Sequence, residues 1–163
     1  MASPTTAMCT SFKGELPQAL HNFTTTSGNV FKMGLFKAAA SVTGTWNATA
    51  TNAGTPGTSA PSTSNVGTDD LSGTGYTAGG FAWTAAQNTT PSTSGTGAFW
   101  SWSVNPSWTT ATFTTSGAYV YNTTNSNRMV AIFSFGGDQT VTAGTFTVTL
   151  PTNGVGTSVL QLN

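Results

Sequence analysis

Charged side chains are scarce in this sequence. Only 5% of the residues are Asp, Glu, Lys or Arg, whereas a typical soluble domain carries about 25%. The four basic residues, Lys13, Lys32, Lys37 and Arg128, are spread along the chain. Nucleic-acid binding depends on clustered cations that neutralise phosphates. The sequence therefore predicts no nucleic-acid partner.

Cysteines and long apolar runs are also nearly absent. Cys9 is the single cysteine, so no disulfide can form within the chain, and we expect it to be a small apolar residue. No apolar run approaches the roughly 20 residues of a membrane-spanning helix. Residues 1–6 lack the basic stretch and the apolar run of a signal peptide. The sequence predicts neither a membrane partner nor secretion.

Few residues are suited to catalysis or metal binding. The carboxylates are Glu15, Asp69, Asp70 and Asp138, and His21 is the single histidine. Hydrolysis usually needs paired carboxylates or a nucleophile beside a base, and no spacing resembles a nucleophile elbow. The adjacent Asp69 and Asp70 could in principle bind Ca²⁺, but two carboxylates without a third nearby favour a simple polar turn. His21 is expected at the surface or at a helix end. We expect no enzyme activity, catalytic residue, metal site or cofactor.

Small polar and aromatic residues are abundant instead. Aromatic residues make up 11% of the chain, including ten Phe and five Trp, whereas disordered chains are poor in them. Thr favours strands, and Gly and Asn favour turns. The composition therefore predicts an ordered all-β domain. A net charge of zero favours association with other copies or with neighbouring proteins.

The first 28 residues are expected to form an N-terminal arm that is extended or contains a short helix. Met8, Phe12 and Leu16 recur at i, i+4 spacing, which places them on one helical face. Gly14 and Pro17 keep such a helix short. The candidates for its N-cap are Ser3 and Thr5.

Residues 29–163 are predicted to form one β domain. Strands that recur every ~8–12 residues between turn signals are typical of an antiparallel β-sandwich or barrel, and we expect a jelly-roll-like sandwich. Long Ser/Thr/Gly-rich loops are expected across residues 42–98, and Gly136, Gly137 and Asp138 are expected to end a strand. The predicted strands occupy residues 30–37, 99–104, 108–115, 118–121, 128–135, 145–150 and 158–162.

Five aromatic residues of the C-terminal third have two candidate roles. Exposed rings could stack on sugars and form a glycan-binding face. Their alternation along predicted strands instead favours a place in the core or in a subunit interface. The five residues are Trp100, Trp102, Trp108, Tyr119 and Tyr121.

Five short motifs carry a family resemblance. They are SFKGEL at residues 11–16, FKMGL at 31–35, SGTGYTAGG at 72–80, YNTT at 121–124 and FGGD at 135–138. In this order, and over nearly the whole length, they resemble a family of small virion structural proteins of tailed bacteriophages. Residues 42–66 and 88–98 depart from the family pattern because they are expanded and polar.

The resemblance implies a non-enzymatic particle component that assembles in the bacterial cytoplasm and resides in the virion. Its expected partners are the major capsid protein or neighbouring virion proteins, together with further copies of itself in a homo-oligomer. The compact single domain favours a capsid decoration or cement protein. The alternative is a tail, neck or fibre component that contacts host surface glycans. The expected contacts with the capsid or between subunits are Met8, Phe12, Leu16 and Phe23.

Overall fold

The computed structural model describes residues 3–154 and 156–162. Within these residues, eight strands form two antiparallel sheets, accompanied by one short α-helix. The expected all-β, sandwich-like domain is confirmed. The elements are β1 (Ala7–Met8), α1 (Thr10–Glu15), β2 (Phe31–Lys37), β3 (Phe81–Trp83), β4 (Ser92–Ser94), β5 (Gly97–Trp100), β6 (Ser107–Asn122), β7 (Arg128–Thr147) and β8 (Leu160–Leu162).

The larger sheet is organised around one long hairpin. Its strand order is β1-β7-β6-β2-β3, and the smaller sheet has the order β4-β5-β8. Strand β6 has 16 residues and β7 has 20, and they pair from Asn122 opposite Arg128 to Ser107 opposite Thr147. The segments predicted separately at residues 108–115 and 118–121 are thus one strand. Polar residues supply the hairpin turn, as the sequence predicted.

The predicted strand end at residues 136–138 is wrong, because β7 continues through it. The segment forms a wide bulge instead. Between the pair Gly117–Ser134 and the pair Thr115–Gln139, one β6 residue faces four β7 residues. Such extra residues bend a strand and increase its twist. The turn-forming sequence therefore changes the direction of β7 without ending it.

The core is formed by the larger sheet together with the helix, the loop segments and two residues of the smaller sheet, Trp100 and Leu160. Phe31 in β2 stacks on Phe23 at 4.6 Å between ring centroids, and Trp83 in β3 stacks on Trp102 at 4.4 Å. Burying one large apolar side chain contributes about 1.5–3 kcal/mol. The largest fully buried side chains are Trp46, Trp83, Tyr119, Phe12, Phe31, Phe36, Met33, Leu35, Met129, Ile132, Leu160 and Val66.

The N-terminal segment is integrated into this domain. Ala7 of β1 pairs with Ile132 of β7, and Phe12 of α1 is fully buried. Met8 lies in β1, so the prediction that it shares a helical face with Phe12 is wrong. The N-cap position is Cys9, with no side-chain capping hydrogen bond, so Ser3 and Thr5 are not the caps.

Candidate interaction surface

The first carboxylate of the pair in the loop-rich segment, Asp69, is a buried anchor. Its oxygens accept hydrogen bonds from the Thr43 backbone N at 3.0 Å, the Gly44 backbone N at 2.7 Å and the Trp46 indole Nε1 at 2.8 Å. Only 1% of Asp69 is exposed. Asp69 does lie in a turn, Gly67–Asp69, as expected, but its carboxylate is buried and holds residues 43–46 against the core.

Asp70 performs the same role for a different loop. Its Oδ1 accepts hydrogen bonds from the hydroxyls of Tyr76 at 2.6 Å and Tyr119 at 2.7 Å, and its Oδ2 accepts one from the Gly79 backbone N at 2.9 Å. Burial raises the pKa of the Asp70 carboxyl, and these hydrogen bonds oppose the rise. Burial also raises the pKa of Tyr119 well above its ordinary value. Asp70 and Tyr119 are therefore buried structural groups, and Tyr76 is half-buried beside them.

His21 belongs to a second buried polar cluster, at the turn end of the hairpin. Its Nε2 lies 2.7 Å from Glu15 Oε2, and its Nδ1 lies 3.0 Å from the Asn122 amide nitrogen. Arg128 donates to the other Glu15 oxygen at 2.6 Å. Because Asn122 Nδ2 can only donate, we assign the ring proton of His21 to Nε2. The expected surface position of His21 is wrong, since the residue is buried.

This cluster links the helix to the ends of the two long strands. Burial lowers the pKa of His21, although the hydrogen bond to Glu15 opposes that effect. None of the hydrogen bonds in the described residues joins His21 to a hydroxyl or thiol. The cluster instead connects α1 to the ends of β6 and β7 through Glu15, Asn122 and Arg128.

The residues expected to contact the capsid differ in how deeply the structure buries them. Phe12 and Phe23 are buried within the chain, with 0% and 6% exposed, so in this conformation they serve mainly as core residues. Met8 and Leu16 are half-buried and pack against the same core. The segment is therefore a part of the domain, which corrects the expectation of a separate docking arm.

The five candidate stacking aromatics are also inside the domain. Their exposed fractions run from 0% for Tyr119 to 6% for Trp108. These aromatic residues therefore lie in the core, and none of them forms an exposed face on which a sugar could stack. The five are Trp100, Trp102, Trp108, Tyr119 and Tyr121.

Two further features concern the part of the chain that the structure describes. No group of three or more His, Cys, Asp or Glu residues there could hold a metal ion. No helix in those residues has the length and apolarity to cross a membrane.

The far part of the hairpin carries an unpaired strand edge. Strand β1 pairs with β7 only at Ala131 and Ile132, so residues 139–147 have no strand partner on the side away from β6 among the described residues. We call this side the open edge. The corresponding edge of β6 is covered, because the Thr112 backbone N donates to the Thr74 carbonyl at 3.0 Å. The two edges of one ribbon thus differ.

The open edge separates a hydroxyl face from an apolar face. Along β7, Val141 and Phe146 are half-buried and pack against the core, while the threonines between them are exposed. Thr114 and Thr140 form a hydroxyl–hydroxyl hydrogen bond of 2.8 Å across the strands. No charged residue follows Asp138 in the sequence. The exposed threonines of this stretch of β7 are Thr140, Thr142, Thr145 and Thr147.

Two grooves lie beside the open edge. One of about 390 Å³ is lined by Phe135, Phe146 and Val148, together with polar neighbours. The other, of about 290 Å³, continues from Val148 to Met33 and Leu150. Phe135, Val148 and Thr149 line both grooves. The two grooves are therefore adjacent, and we call them together the β7 groove.

A separate groove of about 460 Å³ lies beside the N-terminal segment. It is lined by Leu16, His21, Phe23, Trp100 and Leu162, among others. The indole nitrogen of Trp100 is buried without a hydrogen-bond partner. This groove brings two of the predicted contact residues, Leu16 and Phe23, next to one of the predicted stacking residues, Trp100.

Sequence reasoning missed the open edge, although a signal for it exists. Threonine recurs at residues 140, 142, 145, 147 and 149 among uncharged residues, without the lysine or proline that usually protects an edge strand. Comparison of the chain with family models, with curated proteins and with solved structures finds no match.

Proposed function

We propose that this protein is a non-enzymatic structural component of a tailed-bacteriophage virion, located on the head as a decoration or cement protein. Its partners would be the major capsid protein or neighbouring virion proteins, together with further copies of itself. The observation that carries this proposal is the open edge of β7 beside the β7 groove. A long, uncharged strand edge is a template for pairing with another chain.

The use of the ionisable groups supports a structural role. Glu15, His21, Asp69 and Asp70 are buried and bonded within the chain, and Asp138 accepts a hydrogen bond from the Ala39 backbone N. Acid–base catalysis needs a titrating group within reach of a substrate. These groups are instead committed to holding loops and termini.

The surface composition supports assembly. Hydroxyl groups cover the exposed face of the hairpin, and charges are rare over the whole chain. Such a surface provides little electrostatic repulsion between copies. A cement protein that crosses several capsid subunits could be held by many modest contacts of this kind.

The alternative, a tail, neck or fibre component that binds host glycans, has weaker support. The aromatic residues that suggested it lie in the core. The groove beside Trp100 is one place where a sugar could meet an aromatic edge together with the polar residues Asn22 and Thr24.

Counting labelled copies in virions of the encoding phage tests the proposal. Hundreds of copies spread over the head are expected for a decoration protein. A few copies at the tail or neck would contradict it and would make glycan arrays the next experiment. Deletion of residues 1–20 is unsuitable as a binding test, because it removes Phe12 from the core and β1 from the sheet.

A further inference from the structure

We propose that two copies of this chain pair through the open edge of β7, in antiparallel orientation, about a two-fold axis between Ala143 and Gly144. This inference adds a specific contact to the proposed function, and it rests on that function for the place where the contact forms, the virion. It assigns the open edge to a second copy of the chain.

The need for a strand partner follows from the backbone. On an edge strand, every second residue directs its N–H and C=O groups outwards. Natural edges are usually protected by lysine, proline or a covering loop. Residues 139–150 contain no charge and no proline, and Thr74 covers only the β6 side.

The side-chain order along the strand is self-complementary. The stretch from residue 140 to 147 reads TVTAGTFT. With the axis between Ala143 and Gly144, each threonine of one copy lies opposite a threonine of the other, and Val141 lies opposite Phe146. Directly opposed Thr–Thr and aromatic–β-branched pairs each stabilise a sheet. The hydroxyl faces of both copies then lie on one side and the apolar faces on the other.

A bulge near the axis has to be accommodated. Ala143 has a φ of 49°, and β7 has one extra residue between Val141 and Gly144 relative to β6. Bulges usually twist an edge away from a partner. Here the two residues at the axis, Ala143 and Gly144, have the smallest side chains of the stretch, which leaves room for two bent backbones to approach.

The β7 groove supplies the additional area that a stable contact needs. A specific interface usually buries about 1,600 Å², more than a short strand pair alone provides. The half-buried rings of Phe135 and Phe146 lie beside the edge, 6.2 Å apart between centroids, and the groove extends along Val148. A second copy seated on the edge would cover these apolar side chains as well. The groove is uncharged and therefore favours an uncharged occupant. Residues 139–150 of a second copy are such an occupant, because they carry no charge.

The first test introduces charge at the pair that the register places together, Thr142 with Thr145. Both side chains are exposed, so the monomer should fold in each variant. The double variant Thr142→Lys/Thr145→Lys places like charges in direct opposition, and so does Thr142→Glu/Thr145→Glu. Light scattering after size exclusion should give twice the chain mass for the wild type and the chain mass for each variant.

Mixing and a matched control make this result specific. An equimolar mixture of the lysine and glutamate variants should recover the dimer, because opposite charges then face each other. The control Thr93→Lys/Thr109→Lys adds the same charge at exposed positions of β4 and β6 and should keep the wild-type mass. A monomeric wild type, or lysine variants that remain dimeric, would overturn the proposal.

A disulfide test checks the register. Directly opposed residues of an antiparallel pair have Cα atoms about 4.5–5.5 Å apart, within the range that a disulfide can bridge. Thr142→Cys mixed with Thr145→Cys should cross-link under mild oxidation, whereas Thr140→Cys mixed with Thr145→Cys should not. The native Cys9 is buried, and burial raises its pKa to about 12, so it stays unreactive. Equal yields from both mixtures would refute the register.

The two proposals fail separately. If the protein is monomeric while virions carry hundreds of copies on the head, the β7 contact is wrong and the virion role stands. If the dimer forms as described but virions contain none of the protein, the proposed function is wrong. A neighbouring virion protein that pairs with β7 in place of a second copy would appear as a monomer in solution and therefore counts against the inference.

Discussion

The two halves of the β6–β7 hairpin contain similar types of residue but lie in different environments. In the half next to the turn, which we call the proximal half, residues 115–122 of β6 are all buried. In the distal half, formed by residues 107–114 and 139–147, one face is covered and the other is exposed. The difference arises because β1, β2 and α1 surround only the proximal half. Alternation thus predicts which residues share a face, and elements distant in sequence decide how many faces are buried.

The largest expected contrast is between two apolar truncations. Ile132 is fully buried in the proximal half, so Ile132→Ala should lower the free energy of unfolding by about 2–5 kcal/mol through lost burial and a residual cavity. Val141 in the distal half is only half-buried, so Val141→Ala should cost about 1 kcal/mol or less. Urea unfolding followed by Trp fluorescence measures both. Equal losses would mean that the distal half is as tightly packed as the proximal half.

Two glycines give the next contrast. A Cβ at Gly34 would overlap the ring of Tyr119, whereas one at Gly137, in the bulge, has no heavy atom within 4 Å. Gly34→Ala should therefore cost about 3 kcal/mol, because a ring in a packed core must move. Gly137→Ala should stay within about 0.5 kcal/mol of the wild type. The comparison is contradicted if thermal unfolding ranks the two variants in the opposite order.

Hydroxyl removal should have a smaller effect that still depends on position. The Tyr119 hydroxyl donates to Asp70 at 2.7 Å in the core, and the Thr114 hydroxyl bonds Thr140 at 2.8 Å on the exposed face. Tyr119→Phe should cost about 1–2 kcal/mol because it removes a hydrogen bond from a buried carboxylate. Thr114→Val should change stability by less than about 0.5 kcal/mol, since water can replace the bond. A double-mutant cycle of Tyr119→Phe with Asp70→Asn would test the attribution.

The smallest expected effect is a pH dependence confined to the proximal half. Burial lowers the pKa of His21 below its ordinary 6.5. The contribution of neutral, buried His21 to the free energy of unfolding is fully present above pH 6.5. It is lost as the pH falls through the lowered pKa that His21 has in the folded state. The curve of unfolding free energy against pH should thus be flatter for His21→Gln than for the wild type. Asp70, whose pKa is raised from 3.8, contributes the opposite slope, so the variant must be compared with the wild type over the same range. A pH-independent difference between the two would exclude His21 as the source.

Local patterns predicted some elements closely. The alternation in residues 30–37 predicted a strand, and β2 spans Phe31–Lys37. The run of Asn, Thr and Ser after Tyr121 predicted a turn, and a five-residue loop, in which Ser126 and Asn127 have positive φ values, joins β6 to β7. In these cases the short-range preferences of the backbone decide the outcome.

Other features depend on contacts that no local pattern reveals. The residues next to Asp70 in the sequence are typical of a surface turn. Nevertheless, the hydroxyl of Tyr119, 49 positions away, donates a hydrogen bond to Asp70 in the core. Trp100 and Trp102 alternate with serine as stacking residues would, but Phe23 covers both from a distant segment. The open edge exists because β1 is only two residues long. The candidate surface therefore became visible only in three dimensions.

The pairing of β1 with β7 also constrains the order in which the chain can fold during synthesis. Ala7 is hydrogen-bonded in the sheet opposite Ile132, and Glu15 is bonded to Arg128, 113 positions later. Ala7 and Glu15 are synthesised well before Arg128 and Ile132, so they must wait for these later residues before they reach their native partners. Contacts of such large sequence separation slow folding. During that delay Phe12 and Phe23 are exposed on the nascent chain, which makes this interval the period of greatest vulnerability to misassociation.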